Sequence, residues 1–577
     1  MLEFDIRKSS LIECSLTLKS QREDLEIYTI NIKNNSDTSP ETLSVSFKLP
    51  ALGIFSVWNT SFYLDRKLKA NWALNTTNSR ICSGSPTHQL IGACDENRLN
   101  ISVLDGLTPI SIGTGIIEET SEIMCRISFF TQAVSNFKEY ETQIRIDTRH
   151  IPYYEVLSSV KKWWCECGGL KEAFVPEIAK RPVNSIWYSF HQNIDVEKIL
   201  EQCRLSKEIG IESIIVDDGW QTDNSARGYA YCGDWKVCHS KIADMKDFVK
   251  NIHDIGLKFI LWYSVPFVGV NSEAFSKFNG KIVNFNGKYG CLDPRYKDVR
   301  EYLINTYKNA VLEWDLDGFK LDFIDSFNLP KTPVEEAPGK DFESLEDAVR
   351  ALLYDINLEL TKIKPDILIE FRQTYIGPVV GTCGNMLRVA DCPQDALTNR
   401  LSSINLRLIS GKSAIHSDMI MWNLNDSPEN AALQLVNTLF CVPQVSMLID
   451  KLPKEHLSML KFYLEFWNEN RDTLLDGKLI PENPEAGYSM VIAKTNTDII
   501  ATGYTKNTLA LSGDYEKIVF VNGTGKNNCY IDFENCKKTY DFKIFDCLGN
   551  IIKIGTVNNL NSIVKFEIPL CGMIKLI

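Results

Sequence analysis

The chain has 577 residues, more than one hydrophobic core can organise, so two to four domains are expected. Its composition is that of a globular protein, 44% hydrophobic and 24% charged, and its net charge of −12 argues against a nucleic-acid surface, because no basic stripe is there to displace counterions. No run of about 18 apolar residues could span a bilayer, and the N-terminal MLEFDIRKSSLIECSLTLKS lacks the basic-then-apolar order of a secretory signal.

Up to residue 152 the chain alternates apolar and polar in short runs, LEIYTINIKN, ETLSVSFKLP, CRISFFTQAV and ETQIRIDT, separated by turn residues. This pattern predicts an antiparallel β-sandwich domain over 1–152. A linker follows over 153–180, where Trp163 and Trp164 are expected to pack rather than to bind. The 17 cysteines are odd in number and scattered, and Cys125, Cys203 and Cys441 sit in apolar runs, as reduced thiols do. Cys165 and Cys167 have CxC spacing with no second pair, so no zinc site is expected. These features suit a cytoplasmic protein.

From residue 181 the period changes. SIWYSF reads as a strand, followed by a helical pattern in which Val196, Ile199, Leu200 and Cys203 share a face and Gly210 closes the run. SIIVDD reads as the next strand, then a helix with Met245, Phe248, Val249 and Ile252 on one face, closed by Gly256. KFILWY, a third helix around Val299, Tyr302 and Leu303, and the strand GFKLDF follow; DILIEF, NMLRVAD, SAIHSD and VSMLID are further strands. Eight strands alternating with helices over 181–475 predict a closed (β/α)8 TIM barrel. FNLPKTPVEEAPGKDFES (327–344) reads as a long loop over the barrel mouth. Over 476–577, SMVIAKT, KIVFVNG, YDFKIFD and IVKFEIPL with Asn/Gly turns predict a small C-terminal β-domain.

Barrel active sites form where strands end. Here those ends offer Asp217, Asp218 and Trp220, then Trp262, then Lys320 and Asp322, then Glu370 and Arg372, then Arg388 and Asp391, then His416 and Asp418. Lys320 and Asp322 stand two apart, on one face of an otherwise apolar strand. Two such charges are costly to bury unless paired. Several carboxylates with a lysine, an arginine and tryptophans suit a polyhydroxylated ring, and glycoside cleavage needs two carboxyl groups flanking the anomeric carbon. A lysine beside the nucleophile keeps it ionised, whereas the acid needs the opposite shift. A metal-dependent hydrolase is a competing reading, but HxH, HExxH and DxDxDG are absent, so neither metal nor cofactor is expected.

DDGW (217–220), GDW (233–235), IGLKFILWY (255–263), LDPRYKDVREYL (292–303) and GFKLDF (318–323) resemble, in this order, glycoside hydrolase family 36, the retaining α-galactosidases and their relatives. The resemblance covers about 181–450. It implies a TIM barrel between an N-terminal β-supersandwich and a C-terminal β-sandwich, and hydrolysis of terminal α-D-galactosyl residues by two Asp. It further implies Asp322 as nucleophile with Lys320 beside it, Asp217 and Asp218 as acceptors for the 4- and 6-hydroxyls, and Trp235 and Trp262 as pocket walls. In LRVAD it gives Asp391 as acid/base, with Asp395 in reserve, and Arg388 as a contact to the 2-hydroxyl; His416 stands as a further rim residue. WYSVPF (262–267) replaces a carboxylate-bearing segment common in the family, and Arg372, Tyr375 or Cys383 is left to read the 2-position. An α-N-acetylgalactosaminidase, a transglycosylase resembling raffinose synthase, and a non-catalytic sugar-binding scaffold are the alternatives. The expected partner is an α-glycoside or oligosaccharide, with neither nucleic acid nor membrane; the resemblance also suggests a homo-oligomer.

Overall fold

A computed structural model describes residues 2–61, 63–329, 337–558 and 561–577. The alternating N-terminal runs form two six-stranded antiparallel sheets packed face to face. Tyr28, Ile30 and Ile32, every second residue of the strand Leu25–Asn34, point into their shared core beside Val45, Ile101, Ile127 and Ile144. The linker begins as the helix Tyr153–Gly168, which Gly169 ends in a left-handed conformation (φ 64°). Val160, Trp163 and Trp164 pin that helix to Leu104 and Leu170, and the Trp164 indole donates to the Val103 carbonyl at 2.8 Å.

Eight parallel strands make the barrel: β1 (Val183–Ser185), β2 (Ser213–Val216), β3 (Lys258–Ser264), β4 (Gly318–Asp322), β5 (Leu368–Arg372), β6 (Met386–Arg388), β7 (Ala414–His416) and β8 (Gln444–Val445). They run β7-β6-β5-β4-β3-β2-β1-β8, and a parallel bridge between His416 and Val442 joins the two ends of that order. The expected first strand is displaced. Only Val183–Ser185 is extended, and Trp187–Phe190 is a helical turn whose continuing bonds run from Phe190 N–H to Ile186 O and from His191 N–H to Trp187 O. A short aromatic run has no period that separates one turn of helix from a strand. The predicted helices are in place: Asp195 caps Val196–Glu208 by accepting from Lys198 N–H, and Asp244 caps Met245–Ile255, which Gly256 (φ 90°) ends.

Of the loop 327–344, residues 330–336 lie outside the described residues; beyond them Asp341 pairs with Arg300 at 2.6 Å. The helix Lys454–Asp476 leads into a seven-stranded and a three-stranded sheet, the C-terminal β-domain. All seventeen cysteines are free, and among the described residues no helix is long and apolar enough to cross a membrane.

Candidate active site

The parallel register sets Trp262 beside Lys320, Lys320 beside Glu370, and Ser264 beside Asp322. Lys320 and Asp322 therefore share the inward face of β4. Lys320 is 5% exposed and donates to Asp217 Oδ2 at 2.5 Å. Burial opposes its charge, but Asp217 above all, with Asp322 and Glu370, keeps the ammonium protonated. That pairing is what lets a lysine sit inside the barrel.

Asp322, 7% exposed, is held unevenly. Its Oδ1 accepts from Arg372 Nε at 2.7 Å, the Tyr375 hydroxyl at 2.9 Å and Phe323 N–H at 2.8 Å. Its Oδ2 accepts one bond, from the Trp262 indole at 3.1 Å. Burial alone would push this carboxyl up; Arg372, Lys320 and the Trp262 bond outweigh it and bring it down to about 2. Asp322 is an anion at any physiological pH.

Arg388, 1% exposed, gathers the other acids. It donates to Asp391 Oδ1 at 2.8 Å and to Asp418, and its Nε lies 3.7 Å from Glu370. Asp418 also accepts from Cys392 N–H at 2.6 Å and the Tyr188 hydroxyl at 2.9 Å, tying the segment after β6 to the barrel. Burial raises Asp418 and Glu370. Asp391 differs: its carboxyl is 54% exposed, and although burial raises it, Arg388, Lys320 and Arg372 draw it below the ordinary range. The influence of Lys320 and Arg372 ties Asp391 electrostatically to the surroundings of Asp322. The downward shift is opposite to the one a general acid needs in the free site.

Asp218, 4% exposed, accepts from Gln192 Nε2 at 2.5 Å and Gln221 Nε2 at 2.7 Å. Burial, with the Asp217 anion adding to it, outweighs the Gln221 and Gln192 bonds and raises its carboxyl to about 6.

Several of the expected site residues are engaged within the protein itself. Trp262 donates its indole N–H to Asp322. Trp235 is 5% exposed, stacked on Trp220 at 6.0 Å and edge-on to Trp262 at 6.1 Å, so little of its face is left for a ligand. Arg388 is spent on Asp391 and Asp418, and Arg372 on Asp322. Cys383 packs among the buried side chains of the barrel core. His416 is fully buried, bonded to Ala179 O at 2.8 Å and to Gln444 at 3.2 Å; burial lowers it to about 4, so it is a neutral support beneath the site. Asp395, the reserve acid, caps the helix Ala396–Arg407, accepting from Thr398 N–H at 3.0 Å and its hydroxyl at 2.6 Å. Asp395→Ala is accordingly expected to lower stability by about 1 kcal/mol, read by chemical denaturation, and to leave kcat unchanged. The donors Tyr375, Gln192 and Gln221, and Tyr188 on Asp418, were not assigned these roles from the sequence; all stand in loops or turns beyond strand ends, where no periodicity marks them.

Among the described residues no three His, Cys, Asp or Glu side chains group so as to hold a metal ion. A cavity of about 1250 Å³ lies at the other end of the barrel, before β7 and against the linker. Its Lys161, Lys180 and Lys478 are paired with Glu172, Asp476 and Glu155. The carboxylates described above stand instead at the strands' C-terminal ends, where barrel chemistry is built.

The comparisons converge on one group of proteins. A protein-family model described as Melibiase matches residues 174–374, the stretch that carries Asp217, Asp218, Lys320 and Asp322 and stops short of Arg388 and Asp391. An α-galactosidase of Geobacillus stearothermophilus is 28% identical over 196 residues, 32% of this chain and 26% of its own. One of Lactobacillus acidophilus is 26% identical over 216 residues, 35% of this chain and 28% of its own. These matches thus span little more than a quarter of each relative. In fold the likeness extends along the whole chain: the crystal structure of the Geobacillus enzyme, a family 36 α-galactosidase, aligns over 100% of this chain and 87% of that one, with TM-score 0.65 at 15% identity. A form of it has been solved in complex with raffinose. This chain resembles the α-galactosidases of glycoside hydrolase family 36, in sequence over the first part of the barrel and in fold throughout.

Proposed function

We propose that this protein is a retaining exo-glycosidase of family 36 that hydrolyses terminal α-D-galactosyl residues of α-galactosides such as raffinose-type oligosaccharides. The observation that carries the reading is the state of Asp322: a buried, ionised carboxylate with one oxygen anchored by three donors and the other by a single indole. Oδ2, the less engaged oxygen, is the one that attacks C1. Its lone pair forms the C1–O bond as the glycosidic bond breaks, and Asp391 gives its proton to the departing oxygen. Asp391, now a carboxylate, takes a proton from water, whose oxygen attacks C1 and returns Asp322 to its free form.

The cations around Asp391 suit the second half of this cycle. When Asp322 becomes an ester its negative charge is gone, so Lys320 and Arg372 act more strongly on Asp391 and favour the base. For the first half, a bound sugar must strip water from Asp391 and raise its pKa. The basic limb of kcat is therefore expected at higher pH than that of kcat/KM, measured as full pH–rate profiles; coincident limbs would contradict this role.

The reading is tested with paired nitrophenyl α-glycosides. Hydrolysis of the α-galactoside with release of α-galactose, followed by proton NMR before mutarotation, is the expected result. β-Galactose as first product would refute retention, and preference for the α-N-acetylgalactosaminide would move the substrate assignment.

A further inference from the structure

A hairpin of the N-terminal domain reaches the catalytic face. Its strands Asn75–Arg80 and Ser83–Gly84 form a tight hairpin in which Arg80 pairs with Ser83. Gly84 (φ 66°) is obligatory there, because a Cβ would fall 2.1 Å from Asn78 O. The tip residues Ile81 and Cys82 are buried, and they belong to the apolar cluster of the barrel rather than to that of their own domain.

From this position the hairpin grips both segments that define Asp322. The Arg80 guanidinium donates to Phe327 O at 2.7 Å and to Asp325 O. Those carbonyls belong to the turn that directly follows Asp322, in which Phe323 is left-handed (φ 63°) and Ile324–Ser326 is one turn of 3-10 helix. On the other side Gly84 N–H donates to Thr374 O at 2.6 Å and Gly84 bridges to Tyr375, whose hydroxyl anchors Asp322 Oδ1. Gln373 Nε2 reaches Thr60 O at 3.0 Å, a third tie between the same loop and the N-terminal domain.

We propose that the N-terminal domain is a working part of the catalytic site, with Arg80 as a positioning residue for Asp322. Arg80 touches no substrate; it fixes the turn that carries the nucleophile, while the same hairpin fixes the tyrosine that aims it. A carboxylate displaced by a fraction of an ångström loses alignment with C1, and such misplacements cost up to about 10²-fold in rate.

This inference rests on the reading of Asp322 as nucleophile. The experiment compares the full-length wild type with Arg80→Ala and Arg80→Lys on a nitrophenyl α-galactoside, with active sites counted by covalent labelling. Arg80→Ala is expected to lose between about 10- and 100-fold in kcat per labelled site, with KM within about threefold and partial recovery in Arg80→Lys. Loss of stability or of labelled sites with kcat per site unchanged would overturn the proposal and leave Arg80 as domain glue. A second readout needs no turnover: the pH dependence of carbodiimide modification at Asp322, read by mass spectrometry. Removing Arg80 should shift its midpoint upward by about one unit as the donors on Oδ1 loosen, and an unmoved midpoint would also overturn the proposal. A wild type that hydrolyses no α-galactoside, with a midpoint that still moves upward in Arg80→Ala, would refute the glycosidase reading alone.

Discussion

Asp322→Asn is expected to lower kcat on α-galactosides by on the order of 10⁴-fold or more, as removal of a nucleophile does, while galactose still binds. The amide has nearly the shape of the carboxylate, and Phe323 N–H and the Tyr375 hydroxyl can still donate to its oxygen. It cannot form the ester. The substitution also removes a charge that offsets Arg372 and Lys320, so those cations act more strongly on Asp391 and favour the base. Both effects point the same way. Steady-state kinetics beside calorimetric binding separates them from a failure to fold: affinity within a few fold of wild type with turnover lost is the outcome the geometry requires. Appreciable residual turnover, after excluding deamidation, would place the nucleophile elsewhere.

Asp391→Ala is expected to act differently according to the leaving group. On oligosaccharides, whose alkoxide cannot depart without a proton, kcat should fall by about 10²- to 10⁴-fold, the usual worth of a positioned general acid. On a nitrophenyl galactoside the leaving group needs no proton, so the glycosyl-enzyme should form and then accumulate, because no base activates water. A burst of nitrophenol followed by a slow steady state is the signature. Added azide, a nucleophile that needs no base, should restore turnover and give the α-glycosyl azide. The special interest of this variant lies in Arg388, which donates to both Asp391 and Asp418. Loss of Asp391 leaves the guanidinium paired with Asp418 and Glu370, so the barrel floor should survive. Equal losses on both substrate types, with no burst, would remove Asp391 from the acid/base role.

The barrel was legible because its signals are local: helix faces at spacing three and four, and a glycine at Gly256 that ends a helix. The acids of the site were legible for a related reason, since an Asp or Lys two residues from its neighbour on an apolar strand must face a polar interior. How the charges are shared out was not. Lys320 pairs most tightly with Asp217, 103 residues away, and not with Asp322 on its own strand. Arg372 and Tyr375 converge on Asp322 from beyond the end of β5, and Trp262 offers an N–H where its type suggested only an apolar face. Asp395 and Asp391 look alike in DCPQD and LRVAD, yet one caps a helix and the other meets Arg388. Such distinctions are set by tertiary distance, which single-chain spacing does not encode. Arg80 is the extreme case, more than two hundred residues before the turn it holds.

The central claim is that Asp322 makes a covalent bond to the sugar. A galactosyl fluoride bearing fluorine at C2, which forms the glycosyl-enzyme readily and releases it slowly, would be incubated with the protein before peptic digestion and mass spectrometry. One fluorogalactosyl group on the peptide containing Asp322, lost on incubation with an acceptor and absent from Asp322→Asn, is the result expected here. A label on any other carboxylate, or turnover of α-galactosides with inversion and no labelled peptide, would contradict it.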